Sequence, residues 1–173
     1  MYKRQLLCFT RSFFGSTKPQ AYSITRVLNG TPLQLYKIVS EVNNYKNFVP
    51  FVEDSFVSQR DEQQQPRKAG LKVGWKDITE KFECLLTCKE NEKVHARSIE
   101  LDLFHELETE WKFNPAASGD KCRVDFTLLY KFKNPIYDKL SFMFAPQVTN
   151  IMIGAFEGRL QQLKRQSNRL QKL

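Results

Sequence analysis

The sequence predicts an α+β fold in which a curved antiparallel sheet of about seven strands wraps one long C-terminal helix. Three observations predict it. Almost everything from 77 to 133 reads as strands with a single apolar face. Residues 135–173 read as one helix with too much apolar surface for one buried face. At roughly 100° per residue, Ile136, Leu140, Met143, Phe144, Val148, Ile151, Met152 and Ala155 form one stripe, and Phe142, Ile153, Phe156, Leu160 and Leu163 a second. Finally, 173 residues with 41% hydrophobic content suit one domain with a sizeable core. Laying the helix across the sheet covers one stripe. The other leaves a greasy gap or a greasy edge, and either points to a lipid.

Taken in order, a first strand covers 21–28 and ends at Asn29-Gly30. Thr31 is placed to cap a helix, with Pro32 at its first position and Gln34 three residues beyond the cap. Leu33, Tyr36, Ile38, Val39 and Val42 supply its buried side. A second helical turn holds 44–48, and Pro50 then forces the chain to extend. Strand two spans 51–59. The polar segment 60–66, with three successive glutamines, reads as a mobile hairpin loop without recognisable chemistry. Strands are expected near 71–76 and 94–99, with Gly70 and Gly74 marking a bend or bulge.

The remaining strands alternate plainly. Phe82, Cys84, Leu86 and Cys88 share one face of 80–89. Leu103, His105, Leu107, Thr109, Trp111 and Phe113 point inward from the next strand, and Cys122, Val124, Phe126, Leu128, Tyr130 and Phe132 from the last. Glu106, Glu108 and Glu110 fall on the opposite, hydrated face, where their spacing of two gives a charged strand surface rather than an acid-base pair. In the terminal helix Pro146 removes a backbone donor, so a kink or short break is expected near Ala145, either to follow a curved surface or to make a moving gate.

Charge and reactive residues narrow the function. The formal charge is +8, and Lys3, Arg4, Arg11 and Lys18 supply four of it. Bases elsewhere are scattered and the strand aromatics alternate inward, so nucleic acid is not the expected partner, whereas an anionic membrane surface is. Residues 1–20 contain no acid and fit a mitochondrial transit segment, with an N-terminal arm as the alternative. A domain over 21–165 and a basic tail over 166–173 complete the division. Cys8, Cys84, Cys88 and Cys122 suit a reducing compartment. Cys84 and Cys88, about 13 Å apart along one strand face, cannot share a disulfide or a metal.

The polar inventory holds only two histidines, His95 and His105, with no HExxH, CxxC, G-x-S-x-G or phosphate-binding loop. No catalytic residue, metal site or cofactor is expected. His105 reads either as a core histidine satisfied by a backbone carbonyl or as a donor to a bound head group. Trp75 and Trp111 read as core or as cavity wall. A mainly apolar pocket lined by Phe48, Val49, Trp75, Phe82, Trp111, Phe126, Leu128, Met143 and Ile151, with His105 or Tyr130 as a sparse polar handle, is the usual setting for a hydrophobic ligand.

The order strand, two helices, six strands and long helix resembles the helix-grip fold of the START superfamily, in its polyketide cyclase/dehydrase-like branch. More narrowly, Leu35-Tyr36-Lys37-Ile38-Val39, Tyr45-Lys46-Asn47-Phe48-Val49-Pro50, and Met152, Ala155-Phe156-Glu157 and Arg159 are similar to the pattern of mitochondrial coenzyme Q-binding proteins, over 21–163. Family members usually follow that proline with an aromatic residue and a cysteine. Here Phe51-Val52 follows it, so no thiol role carries over.

The resemblance implies a peripheral protein on the matrix side of the inner mitochondrial membrane. It would bind coenzyme Q (ubiquinone) as ligand and act as a quinone carrier or chaperone for respiratory electron transport and ubiquinone biosynthesis, beside respiratory or quinone-biosynthesis complexes. Tyr45, Phe48, Val49 and Pro50 would shape the cavity mouth, and Met152, Ala155 and Phe156 would face ligand or sheet. Two alternatives stand beside it. One is a polyketide cyclase/aromatase-like enzyme, for which only His105, Arg26 or Lys72 qualify as inward polar groups; the other is a scaffold docking a partner through the terminal helix.

Overall fold

The computed structural model describes residues 18–75, 78–100, 102, 104–117 and 119–170, without the side chains of 75, 78, 100 and 135–145. The transit-segment expectation for the residues before Lys18, and with it Cys8, lies outside the described residues. So do the end of the basic tail and the side chains of Trp75 and Met143.

The chain forms β1 (Gln20–Leu28), α1 (Pro32–Ser40), a 3₁₀ helix (Val42–Asn47), β2 (Val52–Arg60), β3 (Pro66–Trp75), β4 (Ile78–Lys89), β5 (Lys93–Glu100), β6 (Phe104–Pro115), β7 (Cys122–Phe132) and α2 (Pro135–Leu170). The seven strands make one sheet in the order β1-β7-β6-β5-β4-β3-β2. Every pair is antiparallel. Consecutive strands from β2 to β7 are neighbours, while α1 and the 3₁₀ helix carry the chain from one sheet edge to the other.

Local chemistry sets the starts and stops. The Gln34 amide donates to Thr31 Oγ1 at 3.3 Å, and the Thr31 amide donates to Gln34 Oε1 at 3.1 Å, a reciprocal cap that satisfies two orphan donors. Gly30 is buried where β1 ends, and a Cβ there would come within 2.7 Å of the Leu160 side chain of α2, so the close approach of helix and strand favours glycine. α1 buries Leu35 beside Tyr36, Ile38 and Val39, whereas Leu33, expected on that side, is exposed.

The β2–β3 turn, expected to be a mobile loop, is tied down by its own polar groups. The Gln65 amide donates to Asp61 Oδ1 at 2.8 Å, Arg60 Nη1 to the Gln64 carbonyl at 3.0 Å, and Arg67 Nη2 pairs with Asp61 at 2.9 Å. Gln65 also accepts the Tyr36 hydroxyl of α1. Register shifts interrupt the β2–β3 pairing between Val52 and Asp54, close to Gly74, and again around Gln59, whereas Gly70 itself pairs regularly with Phe56.

α2 is continuous through Pro146, so of the kink or short break expected there the break is absent. It packs on α1, β1 and β7. Its described buried face is Thr149, Ile153, Phe156 and Leu160, at i, i+4, i+7 and i+11. Among the described residues the second apolar stripe is therefore the one that meets the sheet. Val148 and Ile151, from the first stripe, are exposed.

Candidate functional site

Partners across an antiparallel ladder project to the same side, so the registers define the inner face of the sheet. Along it lie Tyr22, Ile24 and Leu28 of β1; Cys122 through Phe132, alternately, of β7; Leu107, Thr109, Trp111 and Phe113 of β6; Val94, Ala96 and Ser98 of β5; and Phe82, Cys84, Leu86 and Cys88 of β4. The burial of this face divides lengthwise. At one end Leu28, Cys122, Val124, Phe126, Trp111, Phe113 and Val94 are all buried beneath α1 and the C-terminal half of α2. Towards the other end Ile24, Leu128, Thr109, Leu107, Ala96, Ser98, Cys84 and Leu71 also point inward but are only half-buried, with Tyr130 and Phe82 buried among them.

A cluster of rings marks the boundary. Phe156 of α2 lies 4.8 Å from Trp111, 5.1 Å from Tyr45 and 5.2 Å from Phe48, centroid to centroid, and Trp111 lies 4.5 Å from Phe126. Edge-on and tilted geometries of this kind add to the area buried. The Tyr45 hydroxyl donates to the Val39 carbonyl, and its burial pushes the phenol pKa well up, so it serves as a neutral structural donor. Tyr45, Trp111, Phe126 and Phe156 are thus brought together as the floor of the half-buried region.

The remaining expected site residues divide between this region and other places. Val49 is buried core at 6% exposure rather than a mouth residue, and Pro50 is exposed in the turn. Phe48 is half-buried, with the Arg159 guanidinium 5.8 Å above its ring. Phe82 is buried on β4, Leu128 half-buried on β7 and Met152 half-buried on α2. Ile151, expected to face ligand, is 45% exposed because it sits about 160° to 200° around the helix from Thr149 and Ile153.

His105 is also a correction. In the β6–β7 pairing, Phe104 faces Phe132 but Glu106 faces Lys131, so β6 holds one extra residue there. That bulge breaks the alternation and leaves His105 exposed. Tyr130, the other suggested polar handle, is buried and donates to Gln20 Oε1 at 2.9 Å. Lys72 lies on the outer face, 2.7 Å from Glu53, and Arg26 donates to Asn150 Oδ1 of α2 at 2.9 Å. Outer-face carboxylates are likewise engaged, Glu108 with His95 and Glu110 with Lys112 at 2.7 Å.

The thiols are poor nucleophiles. Burial, then the charge of Glu83, pushes Cys84 up to about 12, and burial pushes Cys122 up to about 11. Among the described residues no cluster of His, Cys, Asp and Glu is arranged to hold a metal ion.

Sequence reading passed over two features. An open groove of about 890 Å³ lies between α1, the end of α2 and the β2–β3 turn, bordered by Gln34, Gln65, Arg60, Arg159 and Lys164. Of the expected site residues whose side chains are described, only Phe48 borders it. The second feature is Thr149, fully buried on α2 with no partner for its hydroxyl. Its place one turn before Ile153 on the buried stripe was the available signal.

The family described as polyketide cyclase/dehydrase and lipid transport matches residues 28–157. The chain is 36% identical over 166 residues to "Coenzyme Q-binding protein COQ10, mitochondrial" of Saccharomyces cerevisiae, covering 90% of this chain and 80% of that protein. Among solved structures, a START superfamily protein from Mycobacterium smegmatis superimposes with a TM-score of 0.75 at 20% identity, covering 83% of this chain and 98% of that one. The Zhui aromatase/cyclase from a Streptomyces species does so with a TM-score of 0.72 at 11% identity, over 83% and 94%. At such identities both structures share the fold, the antiparallel sheet gripping a C-terminal helix.

Proposed function

This chain belongs to the coenzyme Q-binding proteins, within the polyketide cyclase/dehydrase and lipid transport family, and on that premise we propose that it binds ubiquinone against the half-buried inner face of its sheet and carries it unchanged. The observation that carries the reading is the division of that face. One end is sealed by the Phe156 cluster, and the other presents Ile24, Leu71, Leu107 and Leu128 incompletely covered. Each buried methylene contributes on the order of 0.8 kcal/mol, so a five-carbon isoprene unit gains roughly 3 to 4 kcal/mol. A bilayer offers about the same, which keeps exchange between membrane and protein near balance.

Carriage rather than conversion is supported by what the polar groups are doing. His105 is turned outward at a bulge, Lys72 is paired on the outer face, and Arg26 is held by Asn150. The protein works as a peripheral partner of the inner mitochondrial membrane on its matrix side, delivering quinone to respiratory or quinone-biosynthesis complexes. Two features support membrane contact: the exposed Val148, Ile151 and Leu163 of α2, and the bases Lys164, Arg165 and Arg169 that follow them. No helix among the described residues is long and apolar enough to cross a membrane.

Mass spectrometry of organic extracts from the purified protein tests the reading. Ubiquinone should be recovered in proportion to protein, and Leu128→Trp, which fills the half-buried region without adding charge, should lower that load by several-fold with an unchanged circular dichroism spectrum. Extracts without quinone would sink the proposal. A new product formed from bound quinone would replace the carrier with an enzyme.

A further inference from the structure

Two hydroxyl groups in the interior have nothing to bond to. Thr149 is 0% exposed and its Oγ1 has no hydrogen-bond partner; the Oγ of Ser98 is likewise buried and unpartnered. A buried hydroxyl without a partner is destabilising, and a helical threonine normally relieves this by bonding back to the preceding turn. Neither residue sits in a featureless core.

Their positions converge. Phe156 meets Trp111, and Thr149 lies seven residues earlier on the same buried stripe, about 10 Å nearer the start of α2. Trp111 pairs with Val94, and Ser98 lies four residues further along β5, about 13 Å away. Both displacements run the same way. α2 follows β7, so moving towards its start moves towards the Tyr130–Phe132 end of β7; that end pairs with the start of β6, and the start of β6 with the end of β5. Helix and sheet therefore each place an unpartnered hydroxyl in the interior on the half-buried side of the ring cluster, Thr149 on α2 and Ser98 on β5.

We propose that this interior seats a ligand carbonyl, and that the Thr149 hydroxyl donates to it, with Ser98 making the facing wall polar. The inference rests on the quinone-carrier reading and names its polar contact. A benzoquinone ring suits the site by its chemistry: it brings carbonyl acceptors and no donor of its own, so a hydroxyl freed from the backbone is matched without adding charge to an apolar wall. The isoprenoid tail would take the apolar surface around Leu107 and Leu128.

Thr149→Val keeps the shape and removes the hydroxyl, while Thr149→Ser keeps the hydroxyl. Binding is measured by titration with a short-tailed ubiquinone and, in parallel, with an isoprenoid hydrocarbon that has no oxygen. Thermal unfolding is followed without ligand. Thr149→Val should bind the quinone about fivefold more weakly, bind the hydrocarbon as the wild type does, and melt no lower than the wild type because an unsatisfied group has gone. Thr149→Ser should retain quinone affinity. Equal quinone affinity in Thr149→Val and the wild type overturns the inference and leaves the carrier reading standing, as does an equal loss for quinone and hydrocarbon. A wild type that binds neither ligand overturns both.

Discussion

Cys84 illustrates how position, not residue type, decides reactivity. Its thiol lies on the inner face of β4, where burial and the neighbouring Glu83 both disfavour a negative charge and raise its pKa to about 12. The thiolate is the reactive form, so at pH 8 only on the order of one Cys84 in ten thousand is ready to react. Alkylation by iodoacetamide at pH 8 should leave Cys84 unmodified in the native protein and label it in urea; rapid native labelling would show the inner face to be more open than described. The linkage has a definite sign. A thiol whose pKa rises from 9.0 to about 12 on folding contributes fully below pH 9, and that contribution declines as pH climbs towards 12. Tyr45 sits in the same interior with its hydroxyl committed to Val39, which is why it reads as architecture rather than as a ligand contact.

α2 does two jobs with different surfaces. Its Thr149, Ile153, Phe156 and Leu160 face holds the sheet, and Phe156 joins the helix to Trp111, Tyr45 and Phe48 at once. Phe156→Ala removes the common member of those contacts and leaves a void that rigid neighbours cannot fill. Such a change costs about 3 to 5 kcal/mol. Urea unfolding should therefore shift to markedly lower denaturant. A shift equivalent to less than about 1 kcal/mol would mean that the aromatic cluster does not fasten helix to sheet. The opposite side of the helix contributes little to that fastening. Ile151, at 45% exposure, should tolerate replacement by Gln with an effect within about 0.5 kcal/mol on stability.

The molecule as a whole presents an apolar and basic helix surface beside a sheet whose outer charges are largely paired. Lys68 with Glu83, Lys93 with Glu110 and Arg123 with Asp125 pair across or along the outer strands. Exposed pairs of this sort contribute little individually and mainly neutralise the surface. The bases on the last turns of α2 remain for an anionic partner, each worth about 1 kcal/mol near such lipid. Co-sedimentation should rise with the anionic fraction of the vesicles and fall with added salt. Equal recovery on neutral and anionic vesicles would remove the electrostatic part of the membrane proposal.

How much of this was legible differs from element to element, for physical reasons. Alternation in β4 and β7, the Thr31 cap and the length of α2 are local properties of neighbouring residues, so periodicity and capping chemistry were enough to read them. The choice between the two apolar stripes of α2 was not local: both are apolar, and only packing against β1 and β7 selects Ile153 and Phe156 over Ile151. A single bulged residue likewise turned His105 outward, because strand alternation survives only while the register does. Val49 could be named as part of a motif, but its burial depends on segments far apart in the chain. The unpaired hydroxyl of Thr149 is a tertiary fact in the same sense. Helical spacing assigns it a face, and only the folded chain decides whether an acceptor is waiting there.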